Sequence, residues 1–555
     1  MIRTLVVAGP RQAEALEPWL DYLGRSRAVA VELVSDLGML ARPHGFDVVV
    51  AHPAESELDS EAEAGLLEFI LGGGGFIGLH CTNSRWGRSP AYARLMGSAP
   101  GLPLPRAQVV SRVCPTDHDI TRRLAGDLTF EDTCFPQTEL SADCEVLLST
   151  NWRSCEHPVA YARAAGRGRV FHCGLGEDQS SYAYPPFQEL LYRGVRHVAG
   201  LDEAAGIGIG MLGFGAIGTE HTAAIDQVPG LELRAVCDRS PVRVAAAIQA
   251  APAVRPAADL DELLANSEVD MVVVSTPPNT HAALALRALD AGKHVVVEKP
   301  FCLTGREADQ LVDAAEASGL TLTVYQSRRW DPDFLALQQL VSEGGLGEVF
   351  HLEAFVGGFQ HPCHFWHSDA AVSGGVIYDW GSHYLDWILQ LIPAEVVQVS
   401  ASHHNLVWHD ITNDDHFGLR LRFEGGAEAE FIHSDIAAAR KPKWYVLGTK
   451  GAAVGHWRTG VISVRGPNGV SQETLPVADL PCELHWLRPG PGDRSHDQTM
   501  VLPPSPPQAF YRNLAGHLLA QEPLAVTPQS ARRNIAVMEA ATRSAAQGQP
   551  IAVEI

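Results

Sequence analysis

The sequence predicts an α/β domain, a second α/β domain and then an α+β domain with an open, largely antiparallel sheet. Three observations carry this. A glycine-rich turn, Gly213-Phe-Gly215-Ala-Ile-Gly218, lies in the middle of a 555-residue chain, so something of about domain size precedes it. Short apolar runs alternate with helical stretches on both sides of that turn, as far as residue 325. Beyond it the runs lengthen and alternate polar with apolar. A chain of this length exceeds one core, at about 100–200 residues per domain.

The first domain covers residues 1–200. Apolar runs at 4–8, 29–34, 47–51 and 76–80 alternate with helical stretches at 13–23 and 60–71, which argues for a parallel sheet flanked by helices. Four glycines, Gly72 to Gly75, mark a break before the fourth run. A strand at 169–173 and a helix at 186–199 close the domain, and residues 200–206 form a short linker.

The second domain covers 206–325, with strands at 207–212, 232–237, 271–275, 294–298 and 321–325. A strand enters the glycine turn and a helix leaves it. Gly213, Gly215 and Gly218 let the backbone turn and approach a pyrophosphate, and Ala216 and Ile217 open a helix whose N–H groups face that anion. Asp238 ends the second strand, where a carboxylate can accept hydrogen bonds from a ribose diol. It argues for NAD; Arg239 and Ser240 leave NADP open.

The third domain covers 326–555. Alternating runs at 349–356, 417–423, 427–433 and 444–447 suggest its sheet, and 509–521 and 528–547 read as terminal helices. Residues 481–507, rich in Pro and Gly, read as a long surface excursion.

Composition narrows the function classes. Hydrophobic residues make up 46% of the chain, charged residues 19%, and the formal net charge is −23. Nucleic acid and anionic membranes reward basic patches, so neither is expected as a partner. No apolar stretch has membrane-spanning length, and the start lacks signal-peptide features. The ten cysteines include no CxxC pair. Reduced thiols and a cytoplasmic enzyme are the expectation.

Two sets of motifs carry resemblances. Residues 73–80 (GGGFIGLH), 117–122 (DHDITR), 157–160 (HPVA) and 166–171 (GRGRVF) occur in that order. Together they resemble the ThuA-like (trehalose-utilisation) family, which implies a flavodoxin/amidotransferase-like fold for nearly all of residues 1–200. The glycine turn, the block 275–281 (STPPNTH), Glu298-Lys299-Pro300 and the block 373–386 (SGGVIYDWGSHYLD) resemble the Gfo/Idh/MocA oxidoreductases over about 350 residues. That resemblance implies a Rossmann domain binding NAD or NADP, a carbohydrate or polyol substrate, and a homo-oligomer. It assigns Lys299, Asp379 and His383 as the catalytic lysine, aspartate and histidine. It assigns cofactor contacts to Thr276, Pro277, Asn279, His281, Glu298 and Lys299 as well as to the glycine turn, Asp238 and Arg239.

The residues themselves fit this chemistry. Lys299 ends a parallel strand, where doubly wound sheets bind ligands, and an ammonium there can polarise a hydroxyl. Asp379 and His383 are four apart and share a helix face. Hydride removal from an alcohol carbon needs the hydroxyl proton removed, and histidine suits that role, with a carboxylate to orient it. On spacing alone a capping Asp and a satisfied core His are the favoured reading, and it is the resemblance that reverses this. Arg328, Arg329, Trp330, His367 and Asp386 are substrate-side candidates, with a hinge salt bridge the competing reading for the arginines. Trp366-His367 stands where relatives carry Trp-Arg.

His361, His364 and His367 are spaced three apart, but no partner has zinc-ligand spacing, and no metal is expected. Cys81 follows a strand, as an amidotransferase nucleophile would, but lacks the G-x-C-x-G frame. His80, Asp178 and Arg85 are the polar residues at strand ends in the first domain. The expected function is NAD(P)-dependent oxidation of a sugar or polyol hydroxyl, with the first domain handling a keto-sugar. A lyase or isomerase recycling tightly held NAD, and a non-catalytic sugar- or cofactor-binding regulator, are the alternatives.

Overall fold

The computed structural model describes the chain except residues 27, 54–56, 125, 202–205, 363–364, 467–468 and 493, and the side chains of 462–473. Most of the 200–206 linker and His364 therefore lie outside the described residues. The chain divides into two compact units. The first is Met1–Gly206 with Gln227–Leu231 and Pro506–Leu524; the second is Ile207–Asp226, Glu232–Ser505 and Ala525–Ile555.

The first unit is built on a nine-stranded mixed sheet. Its strands in chain order are β1 (Ile2–Ala8), β2 (Val29–Val34), β3 (Val48–His52), β4 (Gly75–Leu79), β5 (Leu104–Val113), β6 (Leu128–Cys134), β7 (Glu145–Trp152), β8 (Cys155–Ala165) and β9 (Gly168–Cys173). The spatial order is β2-β1-β3-β4-β9-β8-β7-β5-β6. The first five run parallel. β3 and β4 are buried at every residue, as expected of a sheet covered on both faces. Val48, Val50 and Ile77 face Trp19, Leu190 and Leu191 from the helices Pro10–Arg25 and Pro185–Val198. Val49, Ala51 and Phe76 face Leu66 and Ile70 from the helix Ser60–Leu71.

The remaining four strands are antiparallel and extend the sheet. The sequence reading expected only the parallel half. β6 alternates buried with less buried residues, so it lacks the continuous apolar run of β3 and β4.

The helix Ala509–Ala520 also differs from expectation, because it packs with the first unit rather than with the third domain. Just beyond its end Glu522, fully buried, binds buried Arg193 at 2.6 Å. Tyr192 Oη donates to the carbonyls of Ala520 and Gln521. A helical pattern shows that a face is buried, not which core receives it.

The second unit holds two large sheets and a separate two-stranded hairpin, Thr459–Gly466 with Gly469–Pro476. Six strands lie in the order Arg255–Pro256, Leu231–Cys237, Ile207–Leu212, Met271–Val274, His294–Val297, Leu322–Val324. The last four run parallel. The other sheet has nine strands and is antiparallel except where Val349–Gly357 meets Glu428–Ser434. The helix Val376–Leu391 lies on it, with Tyr384 stacked on Phe431 at 5.2 Å and Trp387 against Trp444 at 5.3 Å. The segment 481–507 is not simply a surface excursion: Glu483–Pro489 and Ser495–Thr499 pair as a hairpin on this sheet, anchored by buried Cys482 and Leu484. Prolines and glycines mark the ends and turn of that hairpin, which is why the composition reads as a loop.

Candidate active site

The glycine turn forms at the carboxyl end of Ile207–Leu212, before the helix Ala216–Asp226. Gly213 has φ 89°, and a Cβ there would stand 2.5 Å from the Ser275 carbonyl oxygen, so only glycine fits. A Cβ on Gly218 would meet the Phe214 ring at 2.9 Å. A Cβ on Gly215 would meet no protein atom within 4 Å. The backbone is thus open above Gly215, at a helix N-terminus, which is the cradle a pyrophosphate needs. Asp238 closes the turn: its carboxylate oxygens accept from Phe214 N and Ser240 N, each at 2.8 Å. Arg239 is exposed.

Lys299 follows the strand His294–Val297, and its Nζ lies 2.6 Å from Asp379 Oδ1. Asp379 sits in the first turn of Val376–Leu391. Desolvation works against the charge on Asp379, but Lys299, helped to a smaller degree by His433 and His367, holds its carboxyl below the usual carboxylate range.

His383, one turn along the same helix, is buried, and its Nδ1 lies 3.1 Å from Gln326 Oε1. The amide orientation is set by its other end, since Gln326 Nε2 donates to the Ser382 carbonyl at 2.9 Å. An amide oxygen only accepts, so Nδ1 carries the proton and Nε2 is the free base. Burial, with Lys299 and Arg328 nearby, pushes the His383 pKa well below its ordinary value. This corrects one expectation. Asp379 was to orient the imidazole; instead Asp379 holds Lys299 and Gln326 holds His383. Gln326 stands two residues before the substrate-side candidate Arg328, but a glutamine carries no motif of its own to mark it.

Comparison with known proteins decides the family. Residues 207–326 match the oxidoreductase family with NAD-binding Rossmann fold, and 334–454 match the GFO/IDH/MocA C-terminal domain. Residues 4–198 match the family described as trehalose utilisation, ThuA. The chain is 30% identical to the uncharacterized oxidoreductase YdgJ of Escherichia coli over 55% of this chain and 86% of that protein. The chain belongs to the Gfo/Idh/MocA oxidoreductase family. It is 26% identical to the scyllo-inositol 2-dehydrogenase (NADP(+)) IolW of Bacillus subtilis, over 63% of this chain and 96% of that protein. Two uncharacterized oxidoreductases of Schizosaccharomyces pombe, 39% and 36% identical, are matched over 43% and 56% of their own length. A crystal structure of an NAD-binding protein from Listeria innocua aligns with a TM-score of 0.54 at 27% identity, covering 62% of this chain and 96% of that one. This Gfo/Idh/MocA chain therefore carries a ThuA domain ahead of its Rossmann and C-terminal domains.

Several expected contacts of the family site are engaged elsewhere. Glu298 was read as a cofactor contact; its Oε1 lies 2.8 Å from His221 Nε2 and its Oε2 accepts the Lys299 N–H at 3.0 Å. It positions Lys299 from within. His281 is buried between two carbonyls, with Nδ1 2.7 Å from Pro300 O and Nε2 2.7 Å from Thr276 O. It ties the two loops together. Thr276 bonds Thr280 through their hydroxyls at 2.7 Å, which fixes the loop holding Pro277 and exposed Asn279.

On the substrate side, Arg329 and Asp386 form a buried two-point ion pair at 2.8 and 2.5 Å, and Arg329 also reaches Ser530. Arg328 pairs with Asp331 and Asp479, with its guanidinium 5.0 Å from the Trp380 ring. The hinge salt bridge is thus what forms, and neither arginine is free. Trp330 ends the short turn Ser327–Trp330. His367 stacks on Trp366 at 3.6 Å and feels the charges of Asp379 and Lys299, so it stands by the site. His361 pairs with Asp410 at 2.9 Å. Among the described residues, His118, Asp119 and His197 bring metal-ligating atoms within 4.8 Å of one another. Their geometry already has internal partners: Asp119 faces His197 Nδ1 at 3.2 Å, and His118 Nδ1 accepts the Ile120 N–H.

Among the described residues, no helix is long and apolar enough to cross a membrane.

Proposed function

We propose that the second unit oxidises a ring hydroxyl of a carbohydrate or polyol, with NAD or NADP as acceptor. The observation that carries this is His383: a buried, neutral imidazole with its proton fixed on Nδ1, beside the ion pair of Lys299 and Asp379. A bound nicotinamide supplies the hydride acceptor. His383 Nε2 takes the hydroxyl proton, as a general base must be in its neutral form to do. Lys299 donates to the hydroxyl oxygen and stabilises negative charge developing there. Asp379 holds that ammonium in place. The glycine turn and Asp238 hold the cofactor's pyrophosphate and ribose. The name of the Bacillus relative, a scyllo-inositol 2-dehydrogenase, supports a cyclic polyol or sugar as the substrate class. Asp238 favours NAD, whereas the same relative's name specifies NADP(+).

The test is Lys299→Ala in the full-length protein. Turnover on a polyol panel with NAD and NADP is expected to vanish while cofactor binding survives; unchanged turnover would sink the assignment. Denaturing the purified protein and looking for released nicotinamide separates two modes. Free exchange fits a dehydrogenase, and stoichiometric cofactor that is never consumed fits a recycling lyase or isomerase.

A further inference from the structure

The first unit has a polar cluster that the hydride chemistry does not use. It sits at the carboxyl edge of the parallel strands, where open α/β sheets bind ligands. β3 ends in His52, and His80 directly follows β4. His80 has φ 51°, left-handed backbone that is uncommon for a residue with a side chain. The conformation is held from several sides. His80 N–H donates to Cys173 O at 2.7 Å, and Thr82 Oγ1 bonds the carbonyls of Leu79 and Ala51. Strain fixed in this way at a strand end is a mark of functional sites.

The protonation of both rings follows from their partners. His52 Nε2 lies 3.0 Å from the Gly176 carbonyl, which can only accept, so Nε2 carries the proton and Nδ1 is bare. The His80 ring bonds the Thr133 backbone. His52 Nδ1 and His80 Nε2 are both buried without a partner, and the ring centroids are 5.5 Å apart. Burial holds both rings neutral, with pKa values lowered to about 3 for His52 and about 4 for His80. Native proteins rarely leave buried polar atoms unpaired, and two such acceptors side by side call for a donor.

The surroundings are built to hold this arrangement. Asp132 accepts from the N–H groups of Thr133, Gly176 and Glu177, fixing the loop that carries the Gly176 carbonyl. Tyr182 Oη donates to that same carbonyl. The neighbouring thiol is not held as a thiolate: burial pushes Cys81 up despite a hydrogen bond from Arg85, and its Sγ also faces Pro53 O at 3.9 Å. An anion would meet two lone pairs. Asp178 and exposed Arg85 act on the His80 ring with opposite charge, so neither selects an ion there. Hydroxyl groups suit both lone pairs.

We infer that this edge is a second small-molecule site, in which His80 and His52 accept hydrogen bonds from hydroxyl groups of a neutral polyol or sugar. It shares only its ligand class with the proposed oxidoreductase and needs no hydride transfer.

The experiment uses the full-length Lys299→Ala protein without cofactor, labelled with ¹⁵N-histidine, and two probes, scyllo-inositol and D-glucose. The expected result is that at least one probe moves the imidazole signals of His52 and His80 together. His80→Gly is expected to weaken that binding at least tenfold, whereas Cys81→Ser leaves it intact. Glycine accommodates the left-handed φ, so a folded His80→Gly protein separates ring loss from backbone strain. Signals unmoved by both probes, or binding unchanged in His80→Gly, would overturn the inference. Loss of binding in Cys81→Ser would also overturn it, by moving the contact to the thiol. Turnover that persists in Lys299→Ala would sink the oxidoreductase assignment and leave this one standing.

Discussion

His383 and Gln326 face each other at 3.1 Å, and the second hydrogen bond from Gln326 to Ser382 decides which atom of the amide meets the ring. A neutral partner at Nδ1 leaves burial unopposed, so the imidazole pKa sits well below its ordinary value. In the direction of alcohol oxidation the base must be unprotonated. As pH falls, kcat/KM at saturating cofactor is therefore expected to stay level through about 6.5, the unperturbed histidine value, and to drop only in more acidic solution. Gln326→Glu places a carboxylate on Nδ1, stabilises the imidazolium and moves the acid limb upward by about one unit or more. A limb that stays put would separate Gln326 from the base.

Asp379→Asn removes the carboxylate that holds Lys299 at 2.6 Å. The ammonium loses its fixed position while the glycine turn is untouched. We predict a fall in kcat of about 10²-fold or more, the scale of losing a positioned acid–base group, with cofactor Kd nearly unchanged. Steady-state kinetics with a cofactor titration measures both.

Gly215 and Gly213 separate binding from stability. No protein atom lies within 4 Å of a Cβ at Gly215, so Gly215→Val should fold with a normal Tm yet fail to bind nicotinamide cofactor. Gly213→Ala meets the Ser275 carbonyl at 2.5 Å in left-handed backbone and is expected to cost about 1–3 kcal/mol. Denaturant unfolding and cofactor fluorescence titration distinguish the two.

Glu522 meets Arg193 at 2.6 Å inside the first unit, with both side chains buried. Removing Glu522 takes away the shorter, charge-assisted partner and leaves Arg193 with Glu189 alone, at 3.4 Å, so Glu522→Ala is predicted to destabilise this unit by about 1.5–3 kcal/mol. A truncation before Pro506 removes Glu522 with the helix Ala509–Ala520 and should do the same. Calorimetry showing an unperturbed transition would contradict it.

Much of this was readable in the chain. The buried parallel strands Val48–His52 and Gly75–Leu79 are apolar runs that need no partner to be recognised. Gly213 must be glycine for local backbone reasons, and Lys299 ends a strand whose place in the sheet follows from the alternation. The helix pairing of Asp379 with His383 is likewise set by a spacing of four. Such features depend on residues near one another in sequence, where backbone geometry fixes the outcome.

Tertiary structure alone decided what each polar group touches. Asp379 and His383 share a helix face, yet one meets Lys299, 80 residues away, and the other Gln326, 57 residues away. Arg329 and Asp386 looked like substrate contacts until packing brought them to each other, and Glu298 found His221 rather than solvent. A side chain's hydrogen-bonding capacity is written in its identity, but burial makes it bind whichever complementary group the fold delivers. The helix Ala509–Ala520 shows the same at larger scale: its apolar face was legible, and the core that accepts it was not, because the hydrophobic effect has no direction.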